Sequence, residues 1–181
     1  MKIGIISDTH GDMRSIEKAI SYLEKCDLII HAGDYIDDAE YIHYATDVEV
    51  KCVKGNSDLY RFDGDYELTF SVKNKKFFVC HGHYHDVKMG INSLYKLAKR
   101  EDMDVVVFGH THIPTYKTID DIIFINPGSL AYPRGKSDKS FGVLTIDNNI
   151  FYEDIYFNGE KISKKEDFEI IVRDFAYNIN Y

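Results

Sequence analysis

Five short apolar runs, each stopped abruptly by a cluster of Gly, Asp, Asn or His, constrain this chain more than any other feature. Met1 to Ser7 stops at Asp8-Thr9-His10, Leu28 to Ala32 at Gly33-Asp34, and Val48 to Val53 at Gly55-Asn56. Phe77 to Cys80 stops at His81-Gly82-His83, and Asp104 to Phe108 at Gly109-His110-Thr111-His112. Runs this short, rich in Ile and Val and bounded by turn residues, read as buried strands. Between the first three lie two segments of helical character. Met13, Ile16, Ala19, Ile20 and Leu23 recur at helical spacing behind a capping Asp12, and Ile36 to Thr46 suits a second helix. Strand alternating with helix is the pattern of a parallel sheet and an α/β fold.

The second half is less regular. Tyr66 to Val72 and Phe77 to Cys80 flank Asn74 as a hairpin would, and a helix fits Ile91 to Arg100. From Thr115 onward, apolar runs punctuated by Asp120-Asp121, Pro127-Gly128 and Asn148-Asn149 predict antiparallel strands and turns. Ser163 with Glu166 makes a capping-box pattern, and Phe168, Ile171, Val172, Phe175 and Ile179 form a helical stripe. A C-terminal helical extension over residues 160–181 is therefore expected, packed on its own domain or in a homo-oligomer. No linker or repeat breaks the 181 residues, so residues 1–181 are read as one domain.

Composition narrows the partners. Apolar residues make up 44% and charged residues 29%, which suits a globular chain, and the formal net charge is −8. Phosphate contacts dominate nucleic-acid affinity, so an acidic chain argues against a general nucleic-acid binder. A small phosphorylated substrate stays open, because a metal ion can supply local positive charge. No apolar run approaches the roughly 20 residues of a membrane span, and Asp8 interrupts the opening run too early for a secretory signal. Three cysteines without a C-x-x-C spacing predict reduced thiols and a cytoplasmic location.

In open α/β sheets, ligands bind beyond the strand C-termini, so the residues that stop the strands should converge there. Glycine directly before Asp34, Asn56 and His110 fits a chain that must come close to a ligand. Asp8, His10, Asp34, Asn56, His81, His110 and His112 then become candidate metal ligands. All offer oxygen or imidazole nitrogen, which disfavours a structural zinc knuckle and favours Mn, Fe, Co, Ni or Zn in a catalytic role. Seven donors exceed the needs of one ion and suit a pair bridged by a carboxylate. Two ions about 3.5–4 Å apart clamp the oxygens of a phosphoryl displacement.

These motifs together resemble the calcineurin-like metallophosphoesterase family. The series Asp8-x-His10, Gly33-Asp34-x-x-Asp37, Gly55-Asn56, His81 and Gly109-His110-Thr111-His112 follows the family order. With the short length and Asn126-Pro127-Gly128-Ser129, it is most similar to the small YfcE-type prokaryotic phosphodiesterases. The resemblance implies an α/β/β/α sandwich of two facing mixed β-sheets flanked by helices. It assigns Asp8, His10 and His112 to one divalent ion and Asn56, His81 and His110 to the other, with Asp34 bridging. It further implies two ions per chain (Mn first, with Ni, Fe, Co or Zn as alternatives) and a bridging water as nucleophile on a small phosphodiester. A phosphomonoesterase, or a non-catalytic scaffold on the same fold like the retromer subunit, is the competing reading. Many members carry a histidine directly after the motif asparagine; here Ser57 stands there, followed by Asp58.

Several neighbours carry two readings each. His83 is a donor to a phosphoryl oxygen or a rim residue, and His85 is placed likewise. Asp58 orients a ligand or caps a turn, and Asp37 supports a ligand from behind. Arg134, near Tyr132 and Lys136, is a forked phosphate clamp or a solvated loop residue. His31 and His43 are assigned to core and surface. Cys80 should face away from His81 on its strand.

Overall fold

Alternation of side chains along the central strands builds the molecule outward from its middle. The computed structural model describes residues 1–147, 150–158, 161–165 and 169–170. In it β1 (Lys2–Ile6) sends Ile3 and Ile5 to one side and Ile6 to the other. Along β2 (Leu28–His31), Leu28 and Ile30 oppose Ile29; along β6 (Val105–Phe108), Val105 and Val107 oppose Val106 and Phe108. This two-residue period gives each sheet two apolar faces. Ile3, Ile5, Leu28 and Ile30 meet Phe77, Val79, Val105, Val107, Ile123 and Ile125 in a buried layer between the two sheets.

The outer faces are closed by helices. Ile16, Ala19 and Leu23 of α1 (Met13–Leu23) and Ile42 of α2 (Ile36–Thr46) cover the first sheet. Leu94 and Ala98 of α3 (Asn92–Arg100) cover the second. The result is the expected α/β/β/α sandwich. Asp12 caps α1 as expected, accepting from the Ser15 amide.

The first sheet adds β3 (Val50–Cys52), β9 (Lys139–Ile146), β10 (Ile150–Asn158), β11 (Lys161–Lys165) and β12 (Glu169–Ile170), in the order β11-β10-β9-β1-β2-β3 with β12 also on β10. The second comprises β4 (Glu67–Val72), β5 (Lys75–Cys80), β7 (Thr115–Ile119) and β8 (Ile122–Asn126) around β6, in the order β4-β5-β6-β8-β7. The strands β1, β2 and β3 run parallel, as do β5, β6 and β8. The remaining pairs are antiparallel, so both sheets are mixed. Among the described residues, no helix is long and apolar enough to cross a membrane.

The expected C-terminal helix is corrected at its start. Lys161–Lys165, which includes Ser163, is a strand antiparallel to β10, with Asn158 opposite Lys161, and Glu169–Ile170 pairs with Ile150 and Phe151. The nine-residue β10 offers a long row of backbone partners, and pairing along it outweighs a capping box. Glu166, Phe168, Ile171, Val172, Phe175 and Ile179 lie outside the described residues.

Candidate metal centre

The parallel strands of both sheets deliver their C-terminal ends to one place. Asp8 and His10 follow β1, Asp34 follows β2, Asn56 follows β3, His81 follows β5, and His110 and His112 follow β6. Backbone bonds stitch these loops together: the Asp8 amide donates to the Gly33 carbonyl (3.0 Å) and the Gly109 amide to the His81 carbonyl (3.1 Å). The His110 amide donates to Asp8 Oδ2 at 3.1 Å, joining one sheet to the other. Gly109 has to be glycine, because a Cβ there would run into Ser7 Oγ and stand 2.8 Å from Asp8 Oδ2. At Gly55 a Cβ would lie 2.5 Å from the Asp34 nitrogen and against its carboxylate. These motif glycines thus let neighbouring loops approach the Asp8 and Asp34 carboxylates closely.

Five of the seven candidate ligands adopt left-handed backbone: Asp8 (φ 53°), His10 (45°), Asp34 (62°), His110 (66°) and His112 (58°). This region costs a non-glycine residue roughly 1–2 kcal/mol. It persists only where the surroundings over-determine it, and such residues cluster at functional sites. The surroundings here are specific. Ser7 Oγ donates to Asp8 Oδ2 (2.7 Å), Ser129 Oγ to the Asp8 carbonyl (2.7 Å), and the Gly11 amide to Asp38 Oδ2 (2.8 Å). Asn126 Nδ2 donates to the Gly109 carbonyl at 2.7 Å and to Thr111 Oγ1 at 3.0 Å. Buried His31 accepts from the Gly33 amide at Nδ1 (3.2 Å), so its neutral ring holds the proton at Nε2, 3.0 Å from Thr9 Oγ1. Sequence reasoning assigned none of Ser7, His31 and Ser129 to the site.

Asp8, His10, Asp34 and His112 each offer a ligand atom, all within 4.8 Å of one another. His112 Nε2 lies 3.0 Å from Asp8 Oδ1, and His10 Nε2 lies 3.5 Å from Asp34 Oδ2. The other Asp34 oxygen, Oδ1, is turned to His81 Nε2 at 3.4 Å, which in turn lies 3.2 Å from His110 Nδ1. Asp34 therefore stands between two donor groups, one carboxylate oxygen toward each. The backbone on either side of Asn56 meets the same carboxylate, since Gly55 packs on Asp34 and the Ser57 amide donates to its Oδ1 at 2.8 Å, while Asn56 itself is exposed.

Donor chemistry shows what this arrangement fits. His112 gives its Nδ1 proton to the Tyr132 carbonyl (2.6 Å) and His81 gives its own to Ala32 (2.8 Å). Each ring thereby turns its Nε2 toward a carboxylate oxygen. Against burial, the contact with Asp8 raises the His112 pKa, so this site draws in positive charge, carried by a proton on His112 or by a metal ion held at the same atoms. Asp8 Oδ1 and His10 Nε2 are buried without a hydrogen-bond partner. Burial disfavours the Asp8 carboxylate, yet the neighbouring His112 and His81 outweigh it and hold its pKa below the ordinary value. Burial, then the neighbouring His81, pushes the His110 pKa down to about 4, leaving a neutral imidazole ready to ligate. The residues fit divalent metal.

The other sequence candidates separate. His83 lies at the rim with both ring nitrogens buried and unpartnered, its centroid 5.4 Å from that of His81 and 6.1 Å from His110. Burial and His81 lower its pKa. His85 is occupied by Glu67 at 2.8 Å. Exposed Arg134 donates its amide to the His112 carbonyl (3.0 Å), which brings its chain alongside that ligand. Asp58 is fully buried: Oδ1 accepts from the Tyr35 and Ile36 amides (both 2.9 Å) and Oδ2 from Gly55 (2.8 Å). Asp37 does not back a ligand. It faces solvent, paired with Tyr60 (3.1 Å) and Arg61, because α2 turns it away from the cluster. His43 is exposed, and Cys80 is buried with Phe78 and Phe108 on the far face of its sheet from His81.

Comparison with known proteins agrees with this geometry. The profile of the calcineurin-like phosphoesterase superfamily domain matches residues 1–149. A protein of Bacillus subtilis named "Probable metallophosphoesterase YsnB" is 36% identical over 154 residues, covering 82% of this chain and 86% of its own. "Phosphodiesterase MJ0936" of Methanocaldococcus jannaschii is 34% identical over 146 residues, covering 71% and 83%. Among solved structures, wild-type Vps29 of Entamoeba histolytica complexed with Zn²⁺ shares the fold with a TM-score of 0.73 at 20% identity, over 91% of this chain and 97% of that one. From the matched profile, these relatives and the convergent Asp and His donors, the chain belongs to the calcineurin-like phosphoesterases and is a metal-dependent phosphoesterase.

Proposed function

We propose that the chain hydrolyses a small phosphodiester at a dinuclear centre. The observation that carries this reading is Asp34, whose two oxygens face different donor groups at 3.5 and 3.4 Å. Asp8, His10 and His112 hold one ion in this reading, Asn56, His81 and His110 the other, and Asp34 serves both. Bound divalent ions supply charge neutralisation at phosphoryl oxygens and a nucleophilic water at neutral pH. Manganese is our first choice, with Ni, Fe, Co or Zn fitting the same oxygen and nitrogen donors.

The chain's own residues supply the rest. His83 carries a proton at one of its two unpartnered ring nitrogens, beside His81 and His110, and donates it to a phosphoryl or leaving-group oxygen. Arg134 offers its fork to the phosphate from the His112 side. Asp58 acts by position, tying the Asp34 loop to the Asn56 loop. A net charge of −8 favours a small ester over a nucleic-acid polymer, and three free cysteines support a cytoplasmic setting.

Elemental analysis of Mn²⁺-loaded protein should find two ions per chain, and bis(4-nitrophenyl) phosphate should be cleaved faster than 4-nitrophenyl phosphate. Asp34→Asn should empty both sites. One ion retained by Asp34→Asn at parental affinity would sink the bridged centre, and a monoester preference would sink the diester assignment.

A further inference from the structure

The edge that gathers the metal ligands is also where the molecule exposes its apolar surface. Among the described residues, seven of the eleven exposed large apolar or aromatic side chains sit on loops leaving the C-terminal ends of β3, β5, β6 and β8. Phe62 and Met89 on these loops are 102% and 90% exposed. Single exposed apolar side chains are ordinary, and Tyr60 is turned with Asp37 away from the cluster, so the informative ones are those in contact with the donor groups.

Two tyrosines flank the donor groups themselves. The Tyr132 ring is centred 5.2 Å from that of His10, on the side of Asp8 and His112, and is 63% exposed. The Tyr84 ring is centred 4.0 Å from that of His83, on the side of His81 and His110, and is 64% exposed. Tyr84 also meets Tyr66 edge-on at 5.3 Å, and with well over half of each residue exposed both tyrosines still present aromatic surface to solvent. One lies on either side of the place where the phosphate would sit.

We propose that Tyr132 and Tyr84 are stacking faces for planar groups on the two arms of the ester, so the substrate is a nucleoside-like diester and not a glycerol, choline or simple alkyl one. This rests on the diesterase reading above. Every base presents a π-face to an aromatic side chain, so stacking selects the class without reading sequence. A single diester linkage carries one negative charge, which a chain of net charge −8 tolerates better than a polyanion.

The test uses Mn²⁺-loaded protein and two esters with the same leaving group, thymidine 5′-(4-nitrophenyl phosphate) and ethyl 4-nitrophenyl phosphate. Their kcat/KM ratio isolates the retained arm. The thymidine ester should be preferred, and the ratio should fall roughly 5- to 150-fold in whichever of Tyr132→Ala and Tyr84→Ala removes the platform for that arm. The corresponding Tyr→Phe variant should retain the ratio, which a folding defect would not explain. A parental ratio near one, or a ratio neither alanine variant lowers, overturns the proposal while hydrolysis of both esters leaves the diesterase reading standing. Hydrolysis of neither ester overturns both.

Discussion

Replacing Asp58 by asparagine separates a positioning role from a chemical one. The carboxylate is fully buried and accepts three backbone N–H bonds at 2.8–2.9 Å, two at the start of α2 and one from Gly55. Asparagine keeps one oxygen and substitutes an NH₂ for the other, so at least one amide comes to face a donor. A buried donor without a partner costs about 1–3 kcal/mol, and loss of the charge weakens the bonds that remain. We therefore expect a destabilisation of about 2–4 kcal/mol. In a chain of this size each kcal/mol moves Tm by about 2–4 °C, so the melt should fall by roughly 5–15 °C. Because Asp58 ties the Asp34 loop to the loop of Asn56, the Mn²⁺ concentration for half-maximal activity should also rise. Thermal melts in chelator and in excess Mn²⁺, with activity titrated against Mn²⁺, measure both effects. High Mn²⁺ should recover most of the lost activity. An unchanged melt, with kcat depressed at every Mn²⁺ concentration, would refute this and make Asp58 a direct participant in the chemistry.

Gly109→Ala places a methyl against Ser7 Oγ and Asp8 Oδ2, so it should cost about 1–3 kcal/mol by overpacking and weaken metal retention, read by melts and elemental analysis. A parental metal content would contradict that. The second expectation concerns pH. Burial holds the His31 pKa below 6.5, against the pull of Asp38 and Asp58, so the folded state keeps the ring neutral where the unfolded chain protonates it. Its contribution to stability is present above about pH 6.5 and lost as pH falls toward the folded pKa. His31→Gln should flatten the decline of Tm between pH 7 and 5 in chelator; an unchanged slope would count against the assignment.

The candidate site was legible because its candidate ligands announce themselves locally. Asp8, Asp34, Asn56, His81 and His110 follow strands whose Ile and Val patterns are unambiguous, and glycine precedes three of them for a steric reason visible at Gly55 and Gly109. What the sequence hid is action at a distance. The amides at the start of α2 find their acceptor in Asp58, more than twenty residues on, and the Asp8 carbonyl finds Ser129 across 121 positions. No spacing rule reveals such partners. Asp37 misled for the converse reason: helical position, not motif membership, decided its direction. In the C-terminal segment two local signals competed. A capping box at Ser163 favoured a helix, while the open length of β10 favoured strand pairing over Lys161–Lys165.

A carboxylate shared between two donor groups makes their occupancies interdependent. In the proposed dinuclear centre, an ion on the His10 side would fix the Asp34 rotamer and leave less ordering for the His81 side, and linkage would require the favour to be returned by the same factor. Ordering of the shared carboxylate would then oppose half-loaded molecules, while repulsion between the two cations would favour them.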